Sequence, residues 1–294
     1  MRYRILFTLL VVHTGSQNAL SHLPIVLITQ SGMSALPMQE LIYKYLPDAY
    51  VRTITLHVRS FWNIYDEARE LIDAIYHDNA LRHGFTIIAF GHAGLTARYY
   101  LERYNMPPVL TYIALGTPQR GVYGNPSTID PHYAWLNSCE PHVSTILYLS
   151  LFQRYTVLAG YWNDPLCHDT YLANCCFLPY LNNEKEHEHA LLFKHHLASL
   201  EAMVLIHGIC DDTVEPSQSA HFGYFKQGTD EVIETIFESE LYREDTLGLK
   251  ILHETGRLHL RTGNCDHEDL THQEENFVSN ILPFLQDNQQ KQPR

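Results

Sequence analysis

Short apolar runs alternate with amphipathic stretches along most of the chain. Leu23-Pro24-Ile25-Val26-Leu27-Ile28 is apolar and ends at the polar turn Thr29-Gln30-Ser31-Gly32. A run this short, closed by turn residues, predicts a buried strand. Met38 to Tyr45 sets Leu41, Ile42 and Tyr45 at helical spacing, and Tyr50 to Leu56 reads as the next strand. Asp66 to His77 gathers Ala68, Leu71, Ile72 and Ile75 on one face, which predicts an amphipathic helix. Strands follow at Thr86 to Phe90, Val109 to Leu115, Ala202 to Ile206 and Leu258 to Thr262, with a closing helix over Phe277 to Leu285. Strands alternating with helices imply an α/β fold, with a mostly parallel sheet covered on both faces. The rhythm lapses from about residue 127 to 200, a stretch rich in Tyr, Leu, His and Asn that is expected to form an inserted helical cap on a single domain spanning 22–294. The polar tail from Gln286 to Arg294 is expected to fray.

The third predicted strand carries the sharpest chemical signal. It runs into Gly91-His92-Ala93-Gly94, and Leu95 to Leu101 then reads as a helix. Strand, tight small-residue turn and helix is the layout of the nucleophile elbow of α/β-hydrolases, which carries G-x-S-x-G. Counted from the strand, the serine position falls on Gly91, so the elbow has no attacking atom. In this layout the acid sits on a loop after a late strand and the histidine after the last one. Gly208-Ile209-Cys210-Asp211-Asp212-Thr213 supplies Asp211, which would hold an imidazole in one tautomer. Gly263-Asn264-Cys265-Asp266-His267 supplies His267, with His272 a weaker competitor. Oxyanion donors are expected from the backbone after the nucleophile, here His92 N–H, and from the loop after the first strand, here Thr29-Gln30. Cys210 and Cys265 flank the acid and the histidine. If the two loops meet, these cysteines are expected to form a disulfide.

Composition narrows the setting. Of 294 residues, 45% are hydrophobic and 18% charged, which suits one large globular core. Arg2 and Arg4, the apolar run Ile5 to Val12 and the small-x-small site Ala19-Leu20-Ser21 predict a cleaved signal peptide over 1–21. Six cysteines would then enter an oxidising compartment; their spacing resembles no zinc site, and neither metal nor cofactor is expected. No later run reaches the roughly 18 apolar residues of a membrane helix. A formal charge of −13 and the lack of a basic stripe argue against nucleic acid as a partner. Protonating all 19 histidines would carry that charge to +6, which fits a protein of an acidic lumen. The one N-x-S triplet, Asn125-Pro126-Ser127, is blocked by its proline as a glycosylation acceptor.

Several segments together resemble the palmitoyl-protein thioesterases, lysosomal α/β-hydrolases that cleave fatty acyl groups from cysteine thioesters. The resemblance spans roughly Leu23 to Leu285 and is greater to the lysosomal thioesterase branch than to the first member. It rests on Gly116-Thr117-Pro118-Gln119-Arg120-Gly121-Val122-Tyr123-Gly124, on Tyr161-Trp162-Asn163-Asp164-Pro165 with Tyr171-Leu172, on His221 to Phe225, and on Asp245-Thr246-Leu247-Gly248-Leu249-Lys250. The resemblance implies a fatty-acyl thioester, or the acyl chain itself, as partner. It places the family's acid on Asp211, its histidine on His267, its serine on Gly91 and the glutamine after that serine on His92. Without the serine, no acyl-enzyme can form by the usual route. Loss of a triad nucleophile costs on the order of 10⁶ in turnover. Substitute nucleophiles to weigh are Ser31, Ser34 and Thr96, beside water activated by His267. The sequence thus leaves three readings: an impaired member that binds acyl chains or acylated partners, a thioesterase with a non-standard nucleophile, or an interaction protein with the groove collapsed.

Overall fold

The computed structural model describes residues 22–30, 32–57 and 62–287. The expected signal peptide, Ser31 and most of the polar tail lie outside the described residues. Six parallel strands form the main sheet: β1 (Ile25–Gln30), β2 (Val51–Leu56), β3 (Phe85–Phe90), β4 (Val109–Leu115), β5 (Ala202–Gly208) and β6 (Leu258–Gly263). Their order across the sheet is β2-β1-β3-β4-β5-β6. The chain starts one strand from the edge, steps outward, then crosses back over β1 and proceeds in one direction. This is the α/β-hydrolase arrangement. It sets the carboxyl ends of β3, β5 and β6 along one rim, the edge of an open parallel sheet where ligands bind.

The central strands are apolar on both faces because both are covered, whereas the edge strands β2 and β6 carry exposed polar residues. Every residue of β3 is buried. One layer packs Val26, Ile87, Ala89 and Leu205 against helix α2 (Ile64–Tyr76) and helix α3 (Ala93–Arg103); the other packs Leu27, Ile88, Ile113 and Val204 against helix α1 (Leu36–Tyr45) and the closing helical residues. α2 starts two residues before the predicted Asp66, because Asn63 caps it. The Asn63 side chain accepts from the backbone N–H of Asp66, and the Asp66 carboxylate accepts from the N–H of Asn63 at 3.0 Å. The closing helix runs from Glu274 to Asp287 and widens to a π-turn over Phe277–Ile281.

Between β4 and β5 lie short helical pieces, among them Pro126–Ile129, Val143–Leu147, Ser150–Tyr155, His168–Asn174 and Leu178–Leu181. They enclose a third apolar cluster around Leu147, Leu158, Trp162, Tyr171 and Phe177, which Ile64 of α2 and Leu95 of α3 join to the sheet layer. A buried polar group fastens this segment to the rim. Arg98 of α3 is fully buried and donates from Nη1 to Gln119 Oε1 at 2.7 Å and from Nη2 to Asn182 Oδ1. Its Nε lies 2.8 Å from the buried carboxylate of Glu102, at ion-pair distance but off the hydrogen-bond direction. Burial pushes Glu102 up to about 8 against the opposing pull of Arg98.

The expected Cys210–Cys265 disulfide is not formed, and all six cysteines are free thiols. The two loops do meet, since Cys210 N–H donates to the Cys265 carbonyl at 3.1 Å. The side chains diverge. Cys265 turns into the core beside Leu270 and Phe277, while Cys210 faces solvent. Burial raises the Cys265 thiol to about 11, so it stays protonated and acts as a small apolar residue.

Candidate active site

The elbow is built by backbone. Gly91 follows β3 at φ +55°, in the left-handed region that glycine enters without penalty, and its N–H donates to the Leu115 carbonyl at 2.9 Å. This bend turns the chain from the strand into α3, whose N-cap is His92. A Cβ on Gly91 would stand 3.8 Å from His267 Nε2 and 3.7 Å from Gln30 Oε1, both ordinary van der Waals contacts. A side chain at Gly91 would therefore have room, with the imidazole as one of its two nearest neighbours.

Asp211 and His267, the two residues expected as acid and base, are joined. Asp211 sits in the turn after β5, where its Oδ1 accepts from the N–H groups of Thr213 at 3.0 Å and Val214 at 2.9 Å. This fixes the carboxylate and leaves Oδ2 for His267 Nδ1 at 2.7 Å. The Asp211 side chain is wholly buried and that of His267 is 10% exposed. With Nδ1–H donated to the carboxylate, Nε2 is the acceptor and faces the elbow, which is the tautomer a general base needs. Two neighbours hold the ring. Phe90 packs against it with centroids 4.6 Å apart. Gly116, at φ +54° after β4, leaves the space the ring occupies, since a Cβ there would come 2.7 Å from His267 Cε1.

A second carboxylate–imidazole pair lies beside the first. His92 Nε2 is 3.3 Å from Glu67 Oε1, and Thr96 donates to Glu67 Oε2 at 3.4 Å. Glu67 is fully buried, and His92 stacks on Tyr161 with centroids 5.9 Å apart. Burial pulls the His92 imidazole down, but the charge and hydrogen bond of Glu67, with Asp130 farther off, outweigh it and hold it above its ordinary value. Glu67 was not singled out in the sequence, though the signal is there: it is the one charged residue on the buried face Ile64, Ala68, Leu71, Ile75 of α2.

These groups surround a cavity of about 250 Å³, a little below the ~300–1,000 Å³ usual for ligand clefts. Gln30, Gly91, His92 and His267 line it together, with Phe90 and Met33 on the sheet side, Val214 from the loop that carries Asp211, and Ile129, Pro131 and Tyr161 from the helical segment. Gln30 meets it through its side-chain carbonyl. The other sequence candidates lie elsewhere. His272 is exposed and pairs with Asp269 at 2.9 Å, Thr96 is committed to Glu67, and Ser34 is exposed and supports the start of α1. Among the described residues no serine or cysteine lines the cavity.

Residues 23–267 match the family described as palmitoyl protein thioesterase. The chain belongs to this family. It is 32% identical to palmitoyl-protein thioesterase 3 of Dictyostelium discoideum over 90% of this chain and 92% of that one. It is 30% identical to palmitoyl-protein thioesterase 1 of Caenorhabditis elegans, covering 91% and 94%, and 30% identical to the lysosomal thioesterase PPT2 homolog of Drosophila melanogaster, covering 76% and 75%. Membership supports a thioesterase-like function with acyl thioesters as the substrate class. No helix among the described residues is long and apolar enough to cross a membrane.

Proposed function

We propose that this palmitoyl-protein thioesterase family member binds fatty-acyl thioesters, or the acyl chains they carry, in the cavity between the elbow and the helical segment, and that it is impaired as a hydrolase because Gly91 stands in the nucleophile position. Asp211 and His267 keep the roles of acid and base, and His92 N–H, at the head of α3, is the oxyanion donor. The reading is carried by one observation: a side chain at Gly91 would point at His267 Nε2 from 3.8 Å without a clash. A serine hydroxyl there would come within hydrogen-bond reach of the base, the geometry on which nucleophile activation depends. The acidic lumen of the lysosome is the setting that fits best. It agrees with the names of several relatives and with a histidine-rich chain whose charge reverses on acidification.

The test is Gly91→Ser. The native chain is expected to bind a fluorescent fatty acid that palmitate displaces and to take no label from a fluorophosphonate. The variant is expected to label and to recover activity on a palmitoyl thioester by several of the roughly six decades a triad nucleophile supplies. Labelling of the native chain would overturn the assignment of Gly91. A variant that neither labels nor turns over would show that the dyad is not aligned for catalysis.

A further inference from the structure

The geometry points to a second use of the dyad: His267 and Gln30 hold one water where a serine hydroxyl would stand, and this water attacks the thioester directly. The inference rests on the acyl-thioester reading above and adds a chemical step to it. Three observations carry it. The bond from His267 Nδ1 to Asp211 leaves Nε2 as an acceptor aimed at the elbow. The side-chain oxygen of Gln30 is buried and has no hydrogen-bond partner among the described residues, and it lies 3.7 Å from where a Gly91 Cβ would be. A buried carbonyl oxygen calls for a donor, and none of the described residues supplies one here. A thioester and its alkyl chain have no donor to give, while water has two. Donating one hydrogen to Nε2 and the other to Gln30 Oε1, a water turns its lone pairs toward the cavity.

The third observation is Gly91 itself. A serine in this position would take the place of that water, but its single hydrogen would go to Nε2 and leave Gln30 Oε1 unanswered. Glycine leaves both acceptors to a solvent molecule that a general base can activate. The water oxygen bonds to the acyl carbon while one of its protons passes to Nε2. The carbonyl π pair moves onto oxygen, where His92 N–H at the start of α3 stabilises it. Collapse breaks the carbon–sulfur bond, and the thiolate takes the proton back from the imidazolium. The products are a free fatty acid and a thiol, with no covalent intermediate and no co-reactant. The imidazolium is stabilised by Asp211 as in a triad, so the dyad works unchanged and only the attacking oxygen differs.

The test uses the full chain and palmitoyl-CoA, with released CoA quantified by chromatography. Slow multiple turnover is expected, about 10³-fold or more below Gly91→Ser, with no acyl adduct in the mass spectrum of the acid-quenched protein. His267→Ala should abolish it. Gln30→Met should lower kcat about tenfold at unchanged KM, the loss expected for one misplaced water. Gln30→Glu, which keeps an acceptor oxygen, should recover most of that loss. It should also move the rising limb of the pH profile upward, because a carboxylate favours the charged imidazole. Palmitoyl-CoA binding without turnover, turnover indifferent to His267→Ala, or an acyl adduct on any side chain would overturn the water route and leave the binding reading standing. Failure of palmitoyl-CoA to bind at all would overturn both.

Discussion

Gly91 and Gly116 end neighbouring strands, bend the chain through nearly the same angle and face the same imidazole, yet they are glycines for opposite reasons. At Gly116 a Cβ would sit 2.7 Å from the His267 ring, so the ring can be where it is only because that side chain is absent. At Gly91 the nearest atoms to a Cβ are 3.7 and 3.8 Å away, and nothing steric excludes one. Matched backbone angles of +54° and +55° remove conformation as an explanation for the difference. One glycine is demanded by packing. The other, on the proposed reading, is a nucleophile position without its nucleophile, in a turn that glycine fits better than serine does. On that reading scaffold and chemistry are separable at an elbow: a glycine in place of a serine keeps the bend, the strand and the helix and carries less local strain.

If that contrast holds, the dyad should still be competent, and its competence can be broken from the far side. On a Gly91→Ser background, Asp211→Asn should lower kcat by about 10⁴ by favouring the wrong tautomer of His267 while leaving the fold intact. Steady-state hydrolysis of a palmitoyl thioester measures this, and a loss below tenfold would place the working base elsewhere. Gly116→Ala should be the next largest effect, destabilising by about 3 kcal/mol. About 1 kcal/mol comes from a Cβ in the left-handed region, and the rest from overpacking against the His267 ring. Urea unfolding measures the loss, and chemical-shift changes at His267 would show the ring displaced.

The Glu67–His92 pair sharpens the comparison, because it supports the elbow from beneath without using Gly91. His92 is raised above its ordinary value of 6.5. A histidine whose folded pKa exceeds its unfolded one adds stability that is fully present below the unfolded value and is lost as pH rises through the folded value. Glu67→Gln should therefore cost about 2 kcal/mol at pH 5, the value of a buried hydrogen bond to a charged group, and distinctly less at pH 9. Equal losses at the two pH values would mean the pair is held as neutral hydrogen-bond partners.

Much of this could be read from the chain, and the exceptions have causes. β4 is found where the apolar run Val109 to Leu115 predicts it, because a strand buried on both faces has no polar residue to blur its ends. Asp211 and His267 were legible as residues on loops after predicted strands, but their 2.7 Å contact joins positions 56 residues apart and follows only from β5 pairing with β6. The small hairpin of Tyr224–Phe225 with Ile233–Glu234 was missed because two-residue strands carry no period. The disulfide failed for a different reason. Loop proximity was inferred correctly, but side-chain direction is set by local backbone, and Cys265 points inward.

The smallest effect probes the contrast most directly. Gly91→Ala adds a Cβ where the nearest neighbours are at van der Waals distance, so the substitution carries no overpacking. What remains is the cost of a side chain at φ +55°, partly offset by the lower entropy of the unfolded chain, for a net loss of about 1 kcal/mol. Because Gly116→Ala carries the same conformational cost at φ +54°, subtracting one from the other isolates the steric contact with His267 and, to a lesser degree, Leu270. The two sites share that imidazole, so the double variant should be non-additive by about 0.5 kcal/mol or more if the ring shifts toward Gly91 when crowded from Gly116. Equal losses at the two glycines, measured by urea unfolding, would mean that the ring yields freely and that packing does not dictate Gly116. Gly91 would then be as much a structural glycine as its neighbour, and the case for a displaced nucleophile would have to rest on Gly91→Ser alone.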